Sequence, residues 1–333
     1  NQFAVTNDVK QGCVLAPTLF SLYLTDMLDV AFRNVKEGIY IQTRCGADLF
    51  NVSHFKSKTR TTKYLVREML FADDSALVAH SASEMQLLVD RFARAAAQFS
   101  LKINIKKTEC LYQPIKLLQP QPEPEVITIN QEPLVQATNF TYLGSTVSSN
   151  AKLDKEIRNR LGKASTAFGN LRQRLWNNRH VSIRAKCKVY RAVVLSTLLY
   201  GAEAWTIYRE EVKKLHAYMM RQLRDIMGVK WYDKITNDEI LSRANLPWMA
   251  DILIEKNLRW LGHVQRMEND RLPKQLLYSQ LCEGKRNQGR PRLRFKDVVK
   301  RNMKHQQINL NSWQTKAGNR AAWRSVIKPK PKP

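Results

Sequence analysis

The sequence predicts an α+β fold, with strands confined to about the first 150 residues and helices dominating the rest. Three observations predict it. Short apolar runs with period-two alternation, broken by turn residues, recur between Leu65 and Val147. From Leu153 onward, apolar residues fall three or four apart along most of the chain. Charge divides at the same place. Residues 1–150 hold 15 Lys+Arg against 14 Asp+Glu, and residues 151–333 hold 40 against 15.

Taking the elements in order, Gln2 to Gly12 reads as an irregular or short extended entry. Pro17 opens a helix that buries Leu19, Phe20, Tyr23, Leu24, Met27 and Leu28 on one face. The polar stretch 35–63 reads as a hairpin or mobile loop. Two short strands flank Asp73-Asp74 between Leu65 and Ala79. Ser83 and Gln86 form a capping box for a helix striped by Met85, Leu88, Val89, Phe92, Ala96 and Phe99. Leu101, Ile103 and Ile105 alternate like a strand. Pro114, Pro120, Pro122 and Pro124 mark a linker. A hairpin then covers about Val126 to Val147, with Asn130 near its first turn.

Helices follow from Leu153 to Leu175 and over 182–205, 209–227, 248–267 and 295–305, with Gly228 a C-cap. The expected units are 1–150, a helical unit 151–230, a basic helical region 231–327 and a disordered tail 328–333.

The chain has 333 residues and is 44% hydrophobic, enough to bury a core. Its net charge of +26 falls almost wholly in the second part, whose field attracts polyanions. No lipid-anchor motif, signal peptide or transmembrane run is present. Cys13, Cys45, Cys110, Cys187 and Cys282 form no CxxC pair, and the histidines lack zinc spacing. They read as reduced, mostly buried thiols.

Phe71-Ala72-Asp73-Asp74 holds the most informative chemistry. Two adjacent carboxylates on a tight turn repel each other, and a divalent cation offsets that charge. Magnesium takes one or two carboxylates plus substrate phosphates, and paired metals serve phosphoryl transfer. An ordinary exposed Asp-Asp hairpin turn has the same local sequence.

Four blocks carry a resemblance to a known family. Val9 to Pro17 resembles the "QG…L-S-P" block of reverse transcriptases, and Phe71 to Asp74 their FADD turn. Leu101 to Thr108 is similar to the following palm block, and Phe140 to Ser145 to the primer grip. The blocks stand in the family's order. Tyr200-Gly201-Ala202-Glu203-Ala204-Trp205, Leu258 to Val264 and Gly289-Arg290-Pro291-Arg292 resemble the RTE-like and jockey-like LINE (non-LTR) retrotransposons.

The resemblance implies a partial right-hand polymerase palm, an antiparallel sheet with helices ending in the primer-grip hairpin. A mainly helical thumb and a basic C-terminal region follow. It implies RNA-directed DNA synthesis from deoxynucleotides with magnesium, which manganese can replace. An RNA template and a DNA primer or nicked target are the implied partners, in nuclear and cytoplasmic ribonucleoprotein. Asp73 would bind metal, and Asp74 would assist it or hold the primer terminus. Gln11 and Gly12 would shape the nucleotide and template pocket, where glycine lets backbone approach a base. Lys107 would sit near the leaving pyrophosphate, and Tyr142, Leu143 and Gly144 would position the primer.

Ala16 and Ser100 depart from the family's usual Ser and Gly. More seriously, the family's other palm aspartate lies upstream of the QG block. This chain starts ten residues before Gln11, and Asp8 is too close to serve. The fingers and the later cysteine/histidine knuckle are also absent from these residues. The first residue is Asn1, so the expectation is a fragment whose missing N-terminal part would complete it. These residues alone are then expected to be inactive.

In the basic half, the seven tryptophans stand beside basic residues, a pattern that suits single strands or hybrids, but at helical spacing they read first as core. Arg158, Arg160 and Lys163 read as nucleic-acid backbone contacts, or as a solvated face. Arg290 and Arg292 lie in a segment resembling a single AT-hook, and also suit backbone binding. Two other readings stand beside the polymerase: a non-catalytic, retroelement-derived nucleic-acid-binding protein, and a basic protein that binds an acidic partner.

Overall fold

The computed structural model describes residues 14–328, apart from 56, 58, 115–122 and 284–291. Its architecture is mixed helix and sheet. Among the described residues, no helix is long and apolar enough to cross a membrane.

Helix α1 (Ala16–Phe32) carries Pro17 in its first turn, where the missing N–H costs no hydrogen bond. Only the second half of its apolar stripe is buried: Met27, Ala31 and Phe32 are covered, whereas Leu19, Phe20 and Tyr23 stay exposed. The polar stretch expected as a hairpin or mobile loop is a hairpin: strand β1 (Ile39–Thr43) pairs antiparallel with strand β2 (Thr62–Val66), and the one-turn helix α2 (Val52–Phe55) lies in their connection. β3 (Glu68–Phe71) and β4 (Asp74–Leu77) form the acidic hairpin.

Helix α3 (Ala82–Gln98) packs against α1 and starts two residues earlier than expected. Its cap is Ser81, which accepts from the Glu84 N–H at 3.2 Å, while Glu84 accepts from the His80 N–H at 3.1 Å. Ser81/Glu84 and Ser83/Gln86 have the same capping-box spacing. Gln86 is instead committed to Thr128, bonding its N–H at 2.9 Å and its carbonyl at 2.8 Å.

Leu101 to Asn104 form no strand. Ile105–Lys107 make a single tight turn, capped by the Asn104 side chain. Leu101, Ile103 and Ile105 still alternate inward, but among the described residues they have no ladder partner. β5 (Glu109–Cys110) pairs in parallel with β8 (Val135–Gln136). The single expected hairpin is two. β6 (Thr128–Ile129) and β7 (Glu132–Pro133) turn through Asn130-Gln131, and β9 (Asn139–Tyr142) and β10 (Ser145–Ser148) turn through Leu143-Gly144. Both central residues of each turn have positive φ, 49° and 69° in the first and 48° and 77° in the second. That geometry matches strand twist.

The helical half begins with α4 (Asp154–Asn170) and a wide turn at Arg172–Trp176. The expected helix over 182–205 is broken into α5 (Ile183–Val189), a wide turn, α6 (Ser196–Leu198) and a reversal at Gly201. α7 (Arg209–Met227) ends at Gly228, with φ 68° as a left-handed cap requires. Then come α8 (Asn237–Ala244), α9 (Met249–Arg266), α10 (Leu272–Leu277), β11 (Ser279–Leu281), α11 (Phe295–His305), α12 (Trp313–Gly318) and α13 (Arg320–Ile327).

The core does not respect the boundaries expected from sequence. β1 pairs with β2 on one side and with β11 on the other, both antiparallel. Leu49 and Phe55 pack with Leu258, Tyr278, Trp313 and Trp323. Residues 39–66 therefore pack with the C-terminal region. The step at residue 230 is crossed too, because Ile240 and Met249 share a core with Ile157, Leu198 and Leu215. α9 joins both cores, Leu253 facing one and Leu258 and Leu261 the other.

Trp176, Trp205, Trp313 and Trp323 are core, Trp248 and Trp260 are half-buried, and Trp231 is exposed. Among the described cysteines all are free, and only Cys187 is buried.

Candidate active site

Phe71 pairs with Asp74, so Ala72-Asp73 are the two residues of the turn. Ala72 has φ 52°, a conformation that costs an alanine roughly 1–2 kcal/mol. Such strain collects at functional turns. Phe71, Asp73 and Asp74 are all exposed. Among the described residues, neither carboxylate has a hydrogen-bond or ion-pair partner. The donor set, adjacent hard oxygens at the surface, fits a divalent cation whose other ligands are substrate phosphate and water. Among the described residues no three metal-ligating side chains come together.

The β9–β10 hairpin is fastened to the strand that leads into this turn. Tyr142 Oη donates to the Met69 carbonyl on β3 at 3.1 Å. Burial and, second, the negative charge of Asp74 raise the Tyr142 phenol above its ordinary value, so it keeps its proton and remains a donor.

The tip of that hairpin is gripped from the helical half. Arg160 Nη2 donates to the Gly144 carbonyl at 2.5 Å, and Tyr200 Oη to the Leu143 carbonyl at 3.0 Å. The Arg160 guanidinium lies 4.4 Å from the centre of the Tyr200 ring. Arg160 is also paired with Glu156 at 2.6 Å, both side chains buried. The other Glu156 oxygen accepts from the Thr146 N–H at 2.7 Å. Gly201, at φ 72°, lies against this tip: a Cβ there would sit 3.2 Å from Ser145 Oγ.

This corrects the reading of Arg160 as a phosphate contact. Its charge is spent on Glu156 and a carbonyl, and it is buried. Arg158 and Lys163, on the same helix, are exposed. Lys107 is exposed at the end of its tight turn, and no hydrogen bond or ion pair joins it to the acidic turn among the described residues. Arg292 donates to the Asn150 carbonyl. Gln11, Gly12 and Arg290 lie outside the described residues. Sequence reasoning missed the roles of Glu156 and Tyr200. Glu156 was legible as the i,i+4 partner of Arg160.

Residues 1–147 match the family model for reverse transcriptase (RNA-dependent DNA polymerase). The chain is 25% identical over 267 residues to a putative uncharacterized transposon-derived protein of Caenorhabditis elegans, covering 78% of this chain and 94% of that one. It is 22% identical over 226 residues to the RNA-directed DNA polymerase from mobile element jockey of Drosophila funebris, covering 67% of this chain and 22% of that one. With the probable RNA-directed DNA polymerase from transposon X-element of Drosophila melanogaster it shares 23% identity over 276 residues, 80% of this chain and 26% of that one. The chain thus spans nearly all of the nematode protein and about a quarter of each polymerase.

Proposed function

We propose that this chain belongs to the LINE-type (non-LTR) retrotransposon reverse transcriptases, whose family model its residues 1–147 match, and that Asp73 and Asp74 serve RNA-templated DNA synthesis. Asp73 holds a divalent ion, magnesium or its substitute manganese, and Asp74 assists it or holds the primer terminus. When bound, the ions of a two-metal site neutralise the nucleotide phosphates and activate the attacking 3′-hydroxyl. Tyr142, Leu143 and Gly144 set the primer strand relative to the carboxylates. Lys107 stands by the departing pyrophosphate, and Gln11 and Gly12 shape the nucleotide and template pocket. Arg158 and Lys163 meet backbone phosphates. In this reading the near-neutral part forms the palm, residues 151–230 the thumb, and residues 231–327 a basic helical C-terminal region.

The observation that carries the proposal is the Tyr142 hydrogen bond to Met69, which fixes the hairpin to the strand that leads into the acidic turn. The test is primer extension on an RNA template with a DNA primer and magnesium by these residues joined to an N-terminal segment that supplies the upstream palm aspartate and fingers, beside Asp73→Ala in the same protein. Extension lost in the variant supports the assignment. Extension that survives removes Asp73 from the chemistry.

A second reading, a retroelement-derived protein that holds RNA or DNA without joining nucleotides, is favoured by one observation: residues 151–333 carry 40 Lys+Arg against 15 Asp+Glu. Failure of both proteins to extend a primer that they nevertheless bind would select it.

A further inference from the structure

We propose that the connection between α7 and α8, with the groove behind it, binds a single nucleic-acid strand at a site separate from the Asp73 turn. This goes beyond the polymerase reading and requires no chemistry at the acidic hairpin.

Trp231 is 89% exposed and Tyr232 61%. Their rings stand 5.8 Å apart at 72° in one tight turn, Trp231–Asp233. Four other tryptophans of this chain are core, so the sequence has apolar sites for such rings and leaves this one outside. The exposure is built into a braced segment. The Lys230 N–H donates to Asp233 at 2.7 Å. Arg224 donates to the Ile235 carbonyl at 3.1 Å and to Asn237 Oδ1 at 2.8 Å. The Val229 N–H closes on the Arg224 carbonyl at 3.0 Å. Two flat faces are thus held in water by hydrogen bonds on both sides, and exposed Lys230 and Lys234 flank them.

Arg224 and Asn237 also line an open groove of about 580 Å³ between α7, α8 and the start of α9. Its wall includes the stacked pair His216–Trp248, ring centres 4.5 Å apart and 12° from parallel. Lys213, Arg221 and Arg224 are its cations, and no carboxylate is among its lining residues.

Five cations, Lys213, Arg221, Arg224, Lys230 and Lys234, stand against two acids, Asp233 on the Lys230 N–H and Asp238 on the Trp248 indole, so the surface selects a polyanion, and bare aromatic faces select one with flat rings to stack. A duplex hides its base faces, whereas a single strand offers them. An acidic peptide answers the charge and leaves the rings unused.

The experiment measures binding of a fluorescein-labelled oligothymidylate to the 333-residue protein by anisotropy, with a DNA duplex of the same length in parallel. Replacing both rings (Trp231→Ala with Tyr232→Ala) is expected to weaken oligothymidylate binding by at least about tenfold and to change duplex binding by less than about twofold. Trp231→Phe should recover most of the loss. Both side chains are exposed, and an unchanged melting temperature confirms that the variants fold. An unchanged affinity in the double variant, an equal loss for duplex, or no oligothymidylate binding by the parent protein would each overturn the proposal. The last result would turn attention to an acidic protein partner.

Discussion

Tyr200 Oη donates to the Leu143 carbonyl at 3.0 Å, while the Arg160 guanidinium covers the same ring and reaches the neighbouring Gly144 carbonyl. Tyr200→Phe keeps the ring under the cation and removes one hydrogen bond. The expected cost is about 0.5–1.5 kcal/mol. It should be local: hydrogen exchange should quicken in β9 and β10 while α7 keeps its protection. Uniformly faster exchange would mean that Tyr200 supports the whole helical core instead.

Removing Glu156 should cost far more. Glu156→Ala leaves the buried Arg160 charge without its carboxylate and the Thr146 N–H without its acceptor. Breaking one side of a buried pair costs about 3–5 kcal/mol. Urea unfolding checks this, with Glu156→Gln as the milder comparison, since it retains an oxygen for Thr146. A loss below about 1 kcal/mol would show that water replaces the carboxylate.

Gly262 sits where α9 meets α13. A Cβ there would come within 2.3 Å of Trp323 Nε1 and 2.4 Å of its Cδ1. That indole is fully buried and donates to the Leu258 carbonyl at 2.8 Å. Gly262→Ala must move the ring or the helix. The better helix propensity of alanine, worth up to about 1 kcal/mol, will not offset the overpacking. Thermal melting should show destabilisation of about 1–3 kcal/mol, accompanied by a changed tryptophan emission. An unchanged or raised melting temperature would refute the contact.

Lys296 donates to the Ser279 carbonyl at 2.9 Å, with its ammonium 4.2 Å from the centre of the Phe55 ring. Burial, helped by the charge of Arg294, pulls its pKa down to about 8. Below about pH 8 the lysine is protonated in both folded and unfolded chains, and the folded form bears the full desolvation penalty. Between about 8 and the ordinary 10.5 the unfolded chain binds the extra proton, so stability from this group rises with pH. The stability difference between Lys296→Met and the parent should therefore shift in the parent's favour from pH 8 to 10. A difference independent of pH would show that the ammonium is fully solvated.

The acidic hairpin was legible because both its strands are short apolar runs and its turn residues are unmistakable. Gly228 was legible for a related reason: few residues tolerate the backbone angle of a left-handed cap. The capping box was displaced because Ser81/Glu84 and Ser83/Gln86 satisfy one rule equally. Arg160 was misread because charges on α4 look alike in sequence whether they face water or Glu156. Trp231 could not be told from the core tryptophans, since a lone aromatic at helical spacing carries no sign of the side it faces. The pairing of β1 with β11 was illegible for another reason. Three residues of register between opposite ends of the chain leave no local pattern.

That pairing also sets an order of events. As the chain leaves the ribosome, β1 and β2 emerge long before β11, and Leu49 and Phe55 must wait for Trp313 and Trp323 to cover them. Contacts so distant in sequence close slowly and late. A nascent chain stopped before Ser279 would carry an unpaired strand edge on β1, a template for joining other chains.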